Sequence, residues 1–370
     1  MTVDTESMGK RVAASRDRAG MTQAELAAAI SIDRSALAKI ESGSRRVSAL
    51  ELARIAEAVG ERIEWFVMET PAAIVSHRNM GPAAESPDTD RQIERIAWNV
   101  EFAANHDDKF SLSRIDHFSR PNNFTEAESA AAEARKRLNL DREEPLLNLS
   151  DNFTKLGMLS FCMDLGPNSA DAASIHLVTG GVALVNGHLR VGRRRLALAH
   201  EFGHYLFADE YTVDWRISEK EDDHAWESRV ERFARALLLP SGGLEHFWYE
   251  CQREGDSLRT AAVKTASRFR VDMSTLALRL RDLRLASEAE YSQIRGSRTT
   301  RADIVELNLV TSDELDPPSL AHAYEGSVLR LYRQGVVSAA RAIDLLFDTW
   351  DESDLPELSE LPESAIWDFV

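Results

Sequence analysis

A chain of 370 residues, 44% of them apolar and 28% charged, has the composition of a folded globular protein and the length for two or three domains. It holds no apolar run near the ~20 residues that span a bilayer, and Met1-Thr-Val-Asp-Thr-Glu6 lacks the basic and apolar stretches of a secretion signal, so no membrane role is expected. The net charge of -17 argues against nucleic acid as a partner of the whole chain, yet residues 9–46 hold eight Lys/Arg against four acids, while Asp348 onward holds eight acids and no base. Such a basic patch on an acidic body is expected of a small DNA-binding module joined to something else. The two cysteines, Cys162 and Cys251, stand far apart and are expected to be reduced and buried, which fits a cytoplasmic protein.

Residues 8–68 read as a bundle of short helices. Val12, Leu26, Ala27, Ile30, Leu37, Ile40, Leu50, Leu52, Ile55, Ala56 and Val59 recur at helical spacing, with Gly20, Ser31, Gly43 and Gly60 at the turns. Thr22 is placed to cap a helix whose first turn carries Gln23, and Asp33 to cap a second helix running to about Glu41. The segment Arg11–Arg46, with its frame around Gly20-Met-Thr-Gln23, Leu26-Ala27, Ile40-Glu41 and Gly43, resembles the XRE (Cro/repressor) helix-turn-helix family. The resemblance implies that Arg34, Ser35 and Lys39 face the major groove, while Gln23, Arg45 and Arg46 reach phosphates. One such unit reads few base pairs, so binding of a double-stranded operator implies a homodimer.

Residues 71–90 (PAAIVSHRNMGPAAESPDTD) read as a linker, or as a loop packed on the next domain. Helical patterns follow near 91–105 and 125–139, the second starting at the capping-box spacing of Thr125 and Glu128. The period then changes. Residues 155–163, 173–178 and 182–185 are short apolar runs bounded by Gly166-Pro167, Gly180-Gly181 and Asn186-Gly187, the pattern of a small antiparallel sheet. Helices resume over 193–208, 225–239 and 258–285. The tail carries a helix at 320–334, another after Val336, and an acidic end with Trp350, Trp367 and Phe369 that reads as a solvated or disordered tail ahead of the alternative, a docking strip for a basic partner.

Within LALAHEFGHYLFAD (residues 196–209), His200 and His204 lie four apart and so share one helix face, as two ligands of one ion require. Glu201 turns about 100° away and suits a base acting on metal-activated water. A chance HExxH in a chain of this composition has a probability on the order of 2%, so the metal reading outweighs a core helix that happens to carry two histidines. A catalytic zinc needs a third protein ligand. On the next helix Glu227 and Glu231 lie four apart, one to bind the metal and the other to accept a hydrogen bond from a ligand histidine. Tyr205, Tyr211, His224 and His246 are candidates to stabilise an oxyanion, each more simply structural.

The run Arg193–Phe207, followed by Glu227, Phe233-Ala234 and Leu237-Leu-Leu-Pro240, resembles the ImmA/IrrE family of zinc metallopeptidases, and Arg259–Leu283 resembles that family's helix-turn-helix-like end. The resemblance spans roughly 92–290 and implies an antiparallel sheet with helices, the HExxH zinc site with Glu201 as catalytic base, and His200, His204 and Glu227 as ligands. Glu231 stands where the family has Asn, and Val230 where it has Ala, which keeps Glu231 in view as supporting residue or alternative ligand. Manganese is compatible with the same donors.

The expected architecture is α+β: a helix-turn-helix domain (1–70), a linker (71–90), a gluzincin-like peptidase domain with a small antiparallel sheet (91–290) and a mostly helical acidic tail (291–370). The expected function is a DNA-binding zinc metallo-endopeptidase that cuts a specific partner, an XRE-type repressor. The alternative is a DNA-binding regulator or antitoxin whose peptidase-like domain binds a cognate toxin.

Overall fold

The computed structural model describes residues 4–61, 63–67, 74–78, 87–113, 117–207, 222–309 and 314–358. They form two compact units, Met1–Ala72 and Ala73–Val370. Among these residues no helix is long and apolar enough to cross a membrane.

The first unit is all helical: α1 (Thr5–Arg18), α2 (Gln23–Ala29), α3 (Arg34–Glu41), α4 (Ala49–Val59) and α5 (Ile63–Val67). Thr22 and Ser48 start α2 and α4 with capping boxes closed by Glu25 and Glu51, which satisfies backbone donors that a helix start leaves open. Asp33 holds the N-cap position of α3 without a side-chain cap bond. Ser31 turns the chain from α2 into α3 at φ 59°. Val12, Leu26, Ile30, Leu37, Ile40, Ile55 and Phe66 close one core. Leu50, read with them from its spacing, is instead exposed on the first turn of α4.

In the second unit, β1 (Ile74–Arg78) and the start of α6 (Pro87–His106) fall within the stretch read as a linker. α7 (Phe124–Arg137) and α8 (Leu149–Lys155) precede the sheet strands β2 (Met158–Met163), β3 (Ala172–His176) and β4 (Gly181–Asn186). The cap of α7 is Asn123, whose side chain accepts from the Glu126 N–H, two residues before the capping box read from sequence. Next come α9 (Val191–Leu206), α10 (Asp222–Leu238), α11 (Ser241–Arg253), α12 (Leu258–Phe269) and α13 (Met273–Asp282). The turn between α12 and α13 passes through Arg270 at φ 53°. α14 (Glu288–Gly296), α15 (Arg301–Glu306), α16 (His322–Arg333) and α17 (Ala339–Leu345) complete the unit.

The sheet has the order β1-β3-β4-β2 and is mixed, which corrects the expected antiparallel sheet. β3 pairs antiparallel with β1 and β4, but β4 inserts beside β2, so those two run parallel. β2 and β4 therefore lack the inside/outside alternation of a half-exposed sheet, and β4 is buried throughout. One face, through Met158, Cys162, Ala172, Ala183 and Val185, joins the core of α7 to α14. The other, through Leu159, Phe161, Ala173, Ile175, Val182 and Leu184, packs under α6, α16 and α17.

The residues read as a tail thus supply the second layer over the sheet. Tyr324 Oη donates to Leu345 O at 2.7 Å, and Asp107 accepts from Ser327 and Arg330 at 2.7 and 2.9 Å. Trp350 packs against this same core rather than standing in a solvated tail; Trp367 and Phe369 lie outside the described residues. Cys162 and Cys251 are free and buried, and burial pushes their thiols up to about 12 and about 11.

Candidate metal centre

α9 is buried on almost every side, from Gly192 to Leu206. It crosses α10 at Gly203, where a Cβ would stand 2.9 Å from Val230 Cγ1 and 3.0 Å from Phe233 Cδ1. Only a residue without a side chain lets the two helices approach this far. Glu227 lies three residues before Val230, on the face of α10 turned to α9. Its Oε2 stands 3.1 Å from His200 Nε2 and 3.4 Å from His204 Nε2, and the two imidazole nitrogens are 2.9 Å apart. Among the described residues this is the one group of three potential ligands that converges.

The donor set suits a small divalent cation. Bonds of 2.0–2.1 Å in a tetrahedral site imply ligand separations of about 3.3 Å, close to those seen. His200 Nε2, His204 Nε2 and Glu227 Oε2 all face one another, so three atoms able to act as ligands converge on one point. Burial would raise the Glu227 carboxyl, but hydrogen bonds from His200 and His204 hold it far below the usual carboxylate range. Burial acts to lower His204, and its bond to Glu227 raises it overall. Glu231 lies one turn on and pairs with Arg235 at 3.5 Å.

Glu201 projects from α9 towards the sheet and is fully buried. Its Oε2 accepts from the hydroxyl of Ser174 on β3 at 2.7 Å. Beside it on β3, His176 stacks on Tyr205, with ring centroids 5.1 Å apart and planes at 21°, and His117 lies 5.9 Å from His176. Burial, with His117 and His204 nearby, pushes the His176 imidazole down to about 4, so it is neutral at pH 7. Across the centre, Trp226 faces His204 edge-on at 6.3 Å and carries the guanidinium of Arg120 at 4.4 Å.

Sequence reading missed Ser174, His176, His117 and Trp226, because a single Ser, His or Trp in an apolar run carries no spacing signal. Of the oxyanion candidates it raised, Tyr205 donates its hydroxyl to Leu156 O at 3.0 Å and is structural. His246 is exposed on α11, whereas Tyr211 and the His224 side chain lie outside the described residues.

In the first unit α3 exposes Arg34, Ser35 and Lys39, and Arg46 is exposed in the loop that follows. The other two candidates are engaged within the unit. Gln23 Nε2 donates to Glu41 Oε2 at 2.7 Å, beside the Arg16 bond to Glu41, and Arg45 pairs with Glu51 at 2.6 Å.

Residues 12–66 match the family model for the helix-turn-helix, and residues 154–281 match that for the IrrE N-terminal-like domain. No curated protein matches the chain. The first match covers nearly all of the α1–α5 bundle, and the second runs from the end of α8 through the sheet strands β2–β4 and α9 to α13. The chain therefore joins an XRE-type DNA-binding unit to a metallopeptidase-family unit, as the two resemblances implied.

Proposed function

We propose that the protein is a DNA-binding regulatory metallo-endopeptidase that cleaves one partner protein, an XRE-type repressor. The observation that carries this is the convergence of His200, His204 and Glu227 beside buried Glu201, inside the stretch that matches the IrrE N-terminal-like domain. The two imidazoles and one carboxylate are the donor set of a catalytic zinc that keeps an open position. A zinc ion held by His200, His204 and Glu227 would supply Lewis acidity to the scissile carbonyl and to the attacking water. Glu201 takes the proton from the attacking water and passes it to the leaving amide nitrogen. His176, neutral and on the same wall as Ser174, is the residue positioned to donate a hydrogen bond to the carbonyl oxygen as charge develops. Trp226 and Arg120 line the side next to His204. In the other unit, Arg34, Ser35 and Lys39 read the operator, with Arg46 on the phosphates.

The test compares zinc-loaded wild type with Glu201→Gln, each incubated with the products of neighbouring genes and alone, followed by intact-mass measurement. Fragments formed by wild type only are expected. No fragment from any candidate, with an equally stable complex formed by both proteins, would replace the peptidase reading with that of a toxin-binding regulator.

A further inference from the structure

The residue one place after a metal-binding histidine turns about 100° around the helix, which carries Glu201 off the α10 side and onto the sheet. It is completely buried there. A buried carboxylate needs hydrogen-bond donors to remain ionised. It also has a soft terminal torsion, because rotation about the last bond of glutamate has broad, two-fold wells rather than three sharp ones. A group that must accept a proton along one direction therefore requires an anchor from outside its own helix.

β3 supplies that anchor. The strand is paired on both sides, with Ser174 in register with Ser76 of β1 and Ala183 of β4, so its backbone is held from both edges. Its period of two turns Ala172, Ser174 and His176 to one face. Ala172 joins the core that contains α9, and His176 stacks on Tyr205 of α9. Ser174 is the hydroxyl between them, 2% exposed, with its oxygen 2.7 Å from Glu201 Oε2.

We propose that Ser174 is the positioning residue of this site, its hydroxyl holding the Glu201 carboxylate in the orientation that proton transfer needs. Because a carboxylate is planar, fixing Oε2 fixes Oε1 as well. Serine suits the place because it donates one hydrogen bond without adding charge. The inference rests on the metallo-endopeptidase reading and adds to it a residue 27 positions away in sequence, on a different element.

The test uses the full-length protein as wild type, Ser174→Ala and Ser174→Thr, with Glu201→Gln as reference. Alanine removes the hydroxyl and little volume, whereas threonine keeps the donor on a β-branched side chain that a strand accepts. Three quantities are measured: kcat and KM on the repressor that wild type is found to cut, bound zinc per chain, and the Glu201 carboxyl resonance in metal-free protein labelled with 13C-glutamate. That resonance is assigned by its absence from Glu201→Gln. For Ser174→Ala the expectation is a fall in kcat of about 10- to 100-fold, the usual loss when an outer partner of a metal site is removed. KM and zinc content stay as in wild type, the Glu201 resonance moves, and Ser174→Thr recovers most of the activity. An unchanged kcat in Ser174→Ala overturns the proposal. So does a loss of activity that merely follows lost zinc or lost folding while the Glu201 resonance stays in place. If wild type cleaves nothing, the peptidase reading fails separately, and the resonance alone then decides whether Ser174 holds Glu201.

Discussion

Glu227 and Glu231 occupy equivalent-looking positions one turn apart on α10, and their surroundings separate them. Glu227 meets two imidazoles at 3.1 and 3.4 Å, whereas Glu231 pairs with Arg235 at 3.5 Å. Glu227→Gln is therefore expected to weaken zinc binding by more than about 100-fold, beyond the loss for an outer partner. Glu231→Gln should leave one zinc per chain, as counted by native mass spectrometry; the reverse pattern would make Glu231 the third ligand. Glu128 raises a different question, that of acid stability. Burial would raise its carboxyl, but bonds and charge from Arg279 and Arg232 overcome this and hold it below its ordinary value of 4.5. A depressed folded-state value stabilises above pH 4.5, and that stability is lost as the pH falls through the lowered value. Arg279 is buried and donates to Glu128 at 2.8 Å and to Leu239 O at 2.9 Å, so α7, α10 and α13 meet at this carboxylate. Glu128→Gln leaves a buried cation without its counter-charge and should cost about 3 kcal/mol at pH 7. Urea unfolding at a series of pH values checks this: the gap to wild type should shrink towards zero at acid pH.

At the scale of elements, the site depends on how closely α9 and α10 cross. Gly203→Ala puts a Cβ 2.9 Å from Val230 Cγ1 and 3.0 Å from Phe233 Cδ1, and Phe233 is fully buried, so neither neighbour can yield cheaply. Overpacking of this kind costs about 1–3 kcal/mol. It also spreads the helices that bring Glu227 to the histidines. Both a lower thermal midpoint and weaker zinc binding are expected, with Gly203→Ala/Val230→Ala recovering part of each. The same crossing shows what the sequence could convey. His200 and His204 lie within one helical turn, so their shared face is legible from spacing alone, and Gly203 between them marks the close approach. Ser174, by contrast, reaches Glu201 through a strand pairing that no local pattern encodes. The parallel pairing of β2 with β4 escaped notice for the same reason, since period-two runs reveal strands and not their order. Helices α16 and α17 were legible as helices, but their apolar faces did not say which surface they cover, and they prove to roof the sheet.

Across the whole molecule, charge divides the labour. The chain carries -17, yet residues 9–46 hold eight bases against four acids. Acids elsewhere repel a polyanion, so affinity for DNA has to come from few contacts, and the salt dependence should have a slope of about 0.9 for each phosphate met. Not every base in the patch is available for this. Arg16 is tied to Glu41 and Asp17, and Arg45 to Glu51, whereas Arg34, Lys39 and Arg46 are exposed. The three exposed cations should behave differently from the tied Arg45. Arg46→Ala is expected to weaken binding to any duplex and to make the plot of log affinity against log salt shallower by about 0.9, the release from one phosphate. Arg34→Ala or Lys39→Ala should cost about 1–3 kcal/mol on the operator and much less on unrelated DNA, as the loss of a base contact does. Arg45→Ala should change the salt slope little, because Glu51 already neutralises that charge at 2.6 Å, and should instead loosen the start of α4. Fluorescence anisotropy of labelled duplexes over a potassium chloride series measures all of these on the full-length protein. A slope unaltered by Arg46→Ala but lowered by Arg45→Ala would mean that the Arg45–Glu51 ion pair opens on DNA, and that Arg45 rather than Arg46 is the cation of the α3–α4 loop that meets a phosphate.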